Sequence, residues 1–436
     1  KNPSEGLKNL LARLWACATL FLLILFVYRL GVWMSLDFFK DGMYREQKIS
    51  SWVTVGFLVF ITAFLWAPSR DGLEGIYALA IFIPMLCLLP WRKPSLAEYG
   101  GTFTVLGLLF AGYSTATAFW APDSDPGFFI LQFFILASWL CGLGWMAQRS
   151  LIDLSRAITI LIAVGTVLSI TNLIAFYIDN PFSERLDGWS VTRNPNHIGS
   201  IFGILTLLAY IEWLRAKGFK QSLWLFCGLV ILLASVAASQ TRAAFIALAL
   251  LMPLAALIYC RNLGKWLLQL AILLLIAATI YLYREQVQEI LFARGLSIRD
   301  VIWSEVFARS WQDHALLGIG LEKEGRIHLS DGSVFNHAHN AWLDIFYRTG
   351  LVGVVLSLAY FGYLLRHALS HRELYPLLLW LVFGCIYSLV DSRGFFWQID
   401  PKWFCIWLPA GMIGALISAK YNDVKVHSAI TQQEQS

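Results

Sequence analysis

The chemistry-bearing residues of this chain gather in one short stretch. Asn336, His337, Ala338, His339 and Asn340 place two histidines and two asparagines within five residues, directly ahead of a long apolar run. An imidazole ordinarily titrates near neutrality, so a histidine at a membrane surface suits the task of taking a proton from a hydroxyl nucleophile. The competing reading is structural: Asn336 or Asn340 caps the helix that follows, and the histidines are loop residues. In either case His339 and Asn340 fall at a helix N-terminus, where unpaired N–H groups and the helix dipole favour an anion nearby. With nine residues intervening after Asn340 come Gly350 and then Gly353, small residues that would let a second helix or a lipid chain approach the span.

Arginines supply the second kind of chemistry. Arg242, in Ser-Gln-Thr-Arg-Ala-Ala, stands at the mouth of an apolar run, a costly place for a charge without a partner. Its planar fork suits bidentate contact with phosphate oxygens; the alternative is an interfacial side chain that snorkels to water. Arg193 and Arg299 read equally as phosphate contacts or as members of structural ion pairs. Arg294 and Arg309 are weaker candidates, since loop arginines are usually only solvated. His337 and Asn340 would orient His339 or bind hydroxyl groups. Asp391 would either hold the tautomer of His339 or pair with Arg393, two residues on. Asp123 and Asp125 have a spacing that can hold a divalent ion beside a diphosphate, although with Pro122 and Pro126 they read better as an acidic turn; no metal site is expected.

The elements that must position these residues are membrane helices. The chain is 58% hydrophobic and 14% charged, with a mean hydropathy of +0.63, and apolar runs of about 17 to 24 residues recur along it. These features exclude an ordinary soluble domain, and the absence of a strand alternation excludes an outer-membrane barrel. The expected fold is an all-α, polytopic helical bundle of 12 transmembrane helices, or 13 segments if residues 14–34 span rather than lie at the interface. Short basic connections alternate with connections that are acidic or carry isolated arginines, which orients the bundle with the basic set in the cytoplasm. Residues 284–340 form the one large loop on the other side, where Ile298, Val301, Ile302, Val306 and Trp311 recur at helical spacing and could lie on the bundle. One membrane domain, 1–436, ends in a disordered cytoplasmic tail, 421–436. The scattered basic residues carry no nucleic-acid stripe, and the seven cysteines lack metal-ligand spacing.

The order His339-Asn340, nine residues, Gly350, two residues, Gly353 resembles the signature of bacterial O-antigen ligases, within the lipid-linked oligosaccharide ligases and polymerases. Ser239–Ala244 around Arg242, Thr192–Ser200 beside Arg193, and Arg299–Gly320 in the large loop support it. The resemblance covers most of residues 50–420 and implies a C-type glycosyltransferase-like fold in the bacterial inner membrane, with its active site facing the periplasm. It further implies transfer of an O-antigen glycan from undecaprenyl diphosphate to the outer-core sugar of lipid A-core, with no cofactor. His339 would then be the general base and Arg242, Arg193 and Arg299 the diphosphate contacts. Membrane lipids, and a polymerase or chain-length regulator, would be its neighbours. An O-antigen polymerase or a protein O-oligosaccharyltransferase would share donor, base and arginines and differ in acceptor. A lipid or solute transporter would instead need charges near the bilayer midplane.

Overall fold

A computed structural model describes residues 42–88, 99–271, 299–322, 327–330, 332–335, 337–390 and 393–434. Residues 14–34, Arg294, Ile298, Asn336 and Asp391, all named above, lie outside the described residues. In chain order the helices are α1 (Gly42–Trp66), α2 (Arg70–Tyr77), a π-helical turn (Ala78–Phe82) running into α3 (Ile83–Leu88), α4 (Thr102–Thr117), α5 (Pro126–Gln148), α6 (Leu154–Tyr177), α7 (Pro195–Arg215), α8 (Phe219–Ser239) and α9 (Arg242–Tyr259). Helix α10 (Arg299–Asp313) and a two-stranded antiparallel ladder, β1 (Ile327–His328) with β2 (Val334–Phe335), follow. The chain ends with α11 (Ala341–Ala368), α12 (Tyr375–Ser388), α13 (Pro401–Cys405) and α14 (Trp407–Glu434).

Seven helices among the described residues are long and apolar enough to cross a membrane: α1 from Glu46, α5, α6, α7, α8, α9 and α11. A helix satisfies most of its backbone groups within itself, which is what a hydrocarbon environment requires of a spanning segment. Helix α7 is the centre of the bundle: 89% of its apolar window is buried, against 39% for α6, α8, α9 and α11. Helix α7 is less apolar than the outer helices α6 and α8, as suits a span surrounded by protein, whereas the others keep an apolar face for lipid. The last helix runs on to Glu434, into the stretch expected to be a disordered tail.

Helix α11 is broken at Gly350, whose φ of 62° and ψ of −166° are not helical. A break inside a span exposes carbonyls and N–H groups that lipid cannot satisfy. Here the loop after α10 satisfies them. Ile319 and Gly320 donate to the carbonyls of Tyr347 and Arg348, both at 2.9 Å, and Leu351 N–H donates to Ala315 at 2.8 Å. Close approach needs glycine on both sides, since a Cβ on Gly350 would collide with the Leu316 carbonyl and one on Gly318 with the backbone of Arg348. The expectation that Gly350 admits a second helix or a lipid chain is corrected accordingly: residues 315–320 of the same chain occupy that place.

Helix α10 falls where the sequence pattern placed one, with part of the expected face inward. Ile302 and Val306 are buried with Ala338, Tyr347 and Ile327, while Val301 and Trp311 are exposed.

Candidate functional site

Asn340 is the N-cap of α11. Its Oδ1 accepts from Trp342 N–H at 3.0 Å and Leu343 N–H at 3.1 Å, satisfying two of the donors that a helix start leaves open. Immediately before it, His339 adopts a left-handed backbone with φ of 54°, a conformation uncommon for a residue with a side chain. Two contacts impose it. His339 N–H donates to Nδ1 of His337 at 3.1 Å, and between the histidines the Ala338 carbonyl accepts from Nε1 of Trp303 on α10 at 2.9 Å. The imidazole rings lie with centroids 4.1 Å apart. Strain held in place by its surroundings is a mark of functional positions.

Both imidazoles line a polar cavity of about 230 Å³. Its other walls come from the starts of α2 and α7, from Tyr387 of α12 and from the segment between α12 and α14, and they include one carboxylate, Asp400, whose Oδ2 lies 4.0 Å from Lys402 Nζ. Arg70 contributes from the start of α2, Asn194 and Asn196 from the start of α7, and Arg393 and Lys402 from the segment between α12 and α14. The N-termini of α7 and α11 therefore both open at this cavity, adding positive dipole ends to three side-chain cations. Asn194 caps α7 by accepting from Asn196 N–H at 2.8 Å, and Tyr387 on α12 donates to the Asn196 carbonyl at 2.9 Å.

Arg393 stacks its guanidinium 4.8 Å from the ring centroid of Trp397. Its neighbour Gly394 donates its N–H to Asp344 Oδ2 at 2.8 Å, the oxygen that also accepts from Arg348 Nε at 3.1 Å. Asp344 and Arg348 are a buried i,i+4 pair in the upper half of α11, so the broken helix holds the Arg393 loop by its backbone. Burial draws the Arg393 guanidinium below its ordinary value, while Asp344 supports its charge.

Burial, reinforced by Lys402, His339 and Arg393, lowers His337 to about 3 against the pull of Asp344. At neutral pH His337 is uncharged. Because its Nδ1 accepts from His339 N–H, its proton sits on Nε2, and His337 is a hydrogen-bond donor rather than a base.

The residues singled out from sequence divide into two groups. His337 and His339 line the cavity and Asn340 is the cap behind them; Arg242, Arg193 and Arg299 do not line it. Arg193 is exposed one residue before Asn194 and faces Asp187, whose carboxyl burial pushes up against the opposing pull of Arg193. Arg242 is exposed as the first residue of α9. The hydroxyl of its neighbour Thr241 donates to the Pro195 carbonyl at 3.0 Å, which sets the start of α9 against the cavity wall. Arg299 is the first residue of α10, and Arg309 pairs with Glu305 on the same helix. Asp125 caps α5, accepting from Phe128 N–H at 3.1 Å, as an acidic turn would. Sequence reasoning missed Arg70 and Lys402 and took Arg393 only as a partner for Asp391. The available signal for Arg70 and Arg393 was that each sits in a short connection on the side assigned away from the cytoplasm; Lys402 falls within an apolar run, 401–419.

These features define a multi-pass helical membrane protein with a cation-lined polar cavity at one end of its bundle. A family model described as O-Antigen ligase matches residues 227–358, from α8 into the lower half of α11. An O-antigen ligase of Pseudomonas aeruginosa is 26% identical over 379 residues, covering 85% of this chain and 92% of that protein. Both matches are to O-antigen ligases, one over α8 to α11 and the other over most of the chain.

Proposed function

We propose that the protein transfers an O-antigen glycan from undecaprenyl diphosphate to the outer-core sugar of lipid A-core, at the periplasmic face of the inner membrane. The observation that carries this reading is the meeting of His337 and His339 with Arg70, Arg393 and Lys402 in one cavity at a bundle end. A lipid diphosphate leaving group needs fixed positive charge, and an acceptor hydroxyl needs a base. The cavity offers both.

The acceptor hydroxyl attacks the anomeric carbon and gives its proton to the His339 imidazole. The bond between that carbon and the diphosphate oxygen breaks, and its electron pair leaves with the lipid diphosphate. Arg393, Arg70 and Lys402 stabilise the developing charge, and each well-placed donor contributes roughly 10²–10³ in rate. Arg193, just before α7, and Arg242, at the start of α9, are exposed and meet the donor as it enters, and Arg299 at the start of α10 adds a further phosphate contact. His337, holding its proton on Nε2, donates to a sugar or phosphate oxygen and keeps His339 in register through the backbone bond. Displacement in one step inverts the anomeric centre. Because side-chain cations supply the countercharge, transfer proceeds without a divalent ion.

The test is reconstitution with undecaprenyl-diphosphate oligosaccharide and either lipid A-core, free oligosaccharide or a peptide as acceptor, with and without EDTA. Product on lipid A-core that survives the chelator is expected. Product only on another acceptor, or a strict requirement for metal, would overturn the reading.

A further inference from the structure

The extramembrane helix α10 has three kinds of face. Ile302 and Val306 pack under the histidine loop. On one flank Glu305 pairs with Arg309 and accepts from Ser330 N–H at 2.6 Å. On the other flank, toward the C-terminal half, Phe307 and Trp311 are 53% and 59% exposed. Their rings stack on each other at 6.1 Å and lean on Phe346 of α11. Leu316 and Leu317, just beyond, are 62% and 50% exposed.

This patch is continuous with the lipid-facing side of a span. Leu351, Val355, Leu358 and Leu365 form an exposed stripe at helical spacing along α11. The stripe ends at Leu351, whose N–H donates to Ala315, one residue from Leu316. Above it stand the aromatic rings of α10. Aromatic side chains are enriched at the boundary between acyl chains and headgroups, and an amphipathic helix lies in that layer with its apolar face down.

We propose that the C-terminal half of α10 docks into the interfacial layer of the bilayer through Phe307, Trp311, Leu316 and Leu317, and that this docking sets the depth of the histidine loop. The link is Trp303 on the same helix, whose Nε1 holds the Ala338 carbonyl between His337 and His339. A helix resting on the lipid surface thereby places both imidazoles at headgroup level. The docking itself is independent of the reaction the cavity performs.

The experiment compares the full-length protein with its Trp311→Phe variant in phosphatidylcholine nanodiscs, so that the difference in emission isolates Trp311. Phosphatidylcholine brominated near the top of its acyl chains should remove most of that difference signal, and iodide in the buffer should leave most of it. Quenching by iodide with none by the brominated lipid would mean a solvated face and would overturn the proposal. Protection from both quenchers would mean that protein, such as a second copy of the chain, covers the face, and would equally overturn it. Phe307→Trp in the Trp311→Phe background moves the reporter about one turn along the helix and should give the same pattern, which guards against a local effect of the first substitution.

Discussion

His337 and His339 stand two residues apart yet face different tasks. The backbone N–H of one binds the ring of the other, and burial among cations keeps His337 uncharged. That difference has a measurable consequence. The folded protein leaves His337 unprotonated until about pH 3, whereas its ordinary value is 6.5. Between those values the unfolded chain holds the extra proton, so stability rises with pH and is lost as pH falls below the ordinary value. Melting midpoints measured from pH 7 to pH 5 should therefore fall, and His337→Asn should flatten that slope; an unchanged slope would mean that His337 titrates freely. Arg393→Lys keeps the charge but loses the fork and the stack on Trp397. It should cost about tenfold or more in kcat/KM for the lipid-linked donor, measured in vesicles, with the melting midpoint little changed. The histidines were legible in the sequence because they are adjacent along the chain. Arg70, Arg393 and Lys402 were not, because Arg70 lies more than 300 residues before the segment that carries the other two and only tertiary packing brings them to one cavity with the histidines.

Helix α11 ties the site together, and two of its features govern its stability. At Gly350 the break depends on a positive φ and on the inserted segment 315–320. Gly350→Ala would add both left-handed strain, about 1–3 kcal/mol, and a collision with Leu316. The melting midpoint in detergent should drop by several degrees, and wild-type stability would show that the helix does not need its break. At Asp344 a buried carboxylate holds Arg348 and the Gly394 backbone together. Asp344→Asn leaves the Arg348 charge in place with its partner gone, a change of about 3–5 kcal/mol for buried pairs. Asp344→Asn with Arg348→Met should be less destabilised than Asp344→Asn alone, as thermal unfolding of the three proteins would show. The sequence announced this helix through its cap, Asn340, and through Gly350 and Gly353. What it could not announce was the occupant of the glycine gap, because the pairing of 315–320 with 347–352 is a non-local contact with no pattern of its own. In α10, helical spacing was legible, but Trp311, assigned inward by spacing, turns out to be exposed.

At the scale of the whole molecule, the bundle organises around one buried helix, α7, and brings its N-terminus and that of α11 to the same end. The membrane character was readable from apolar run lengths. The arrangement of cations was not, since hydropathy records which segments are buried in lipid or protein and says nothing of which loops meet. The proposed reading, an enzyme working on a lipid diphosphate at the membrane surface, turns on the proton accepted by His339. The most direct test is His339→Ala, reconstituted in vesicles with undecaprenyl-diphosphate oligosaccharide and lipid A-core. Turnover should fall by about 10²–10⁴-fold while the folded protein binds the lipid-linked donor as before; wild-type turnover by that variant would contradict the account.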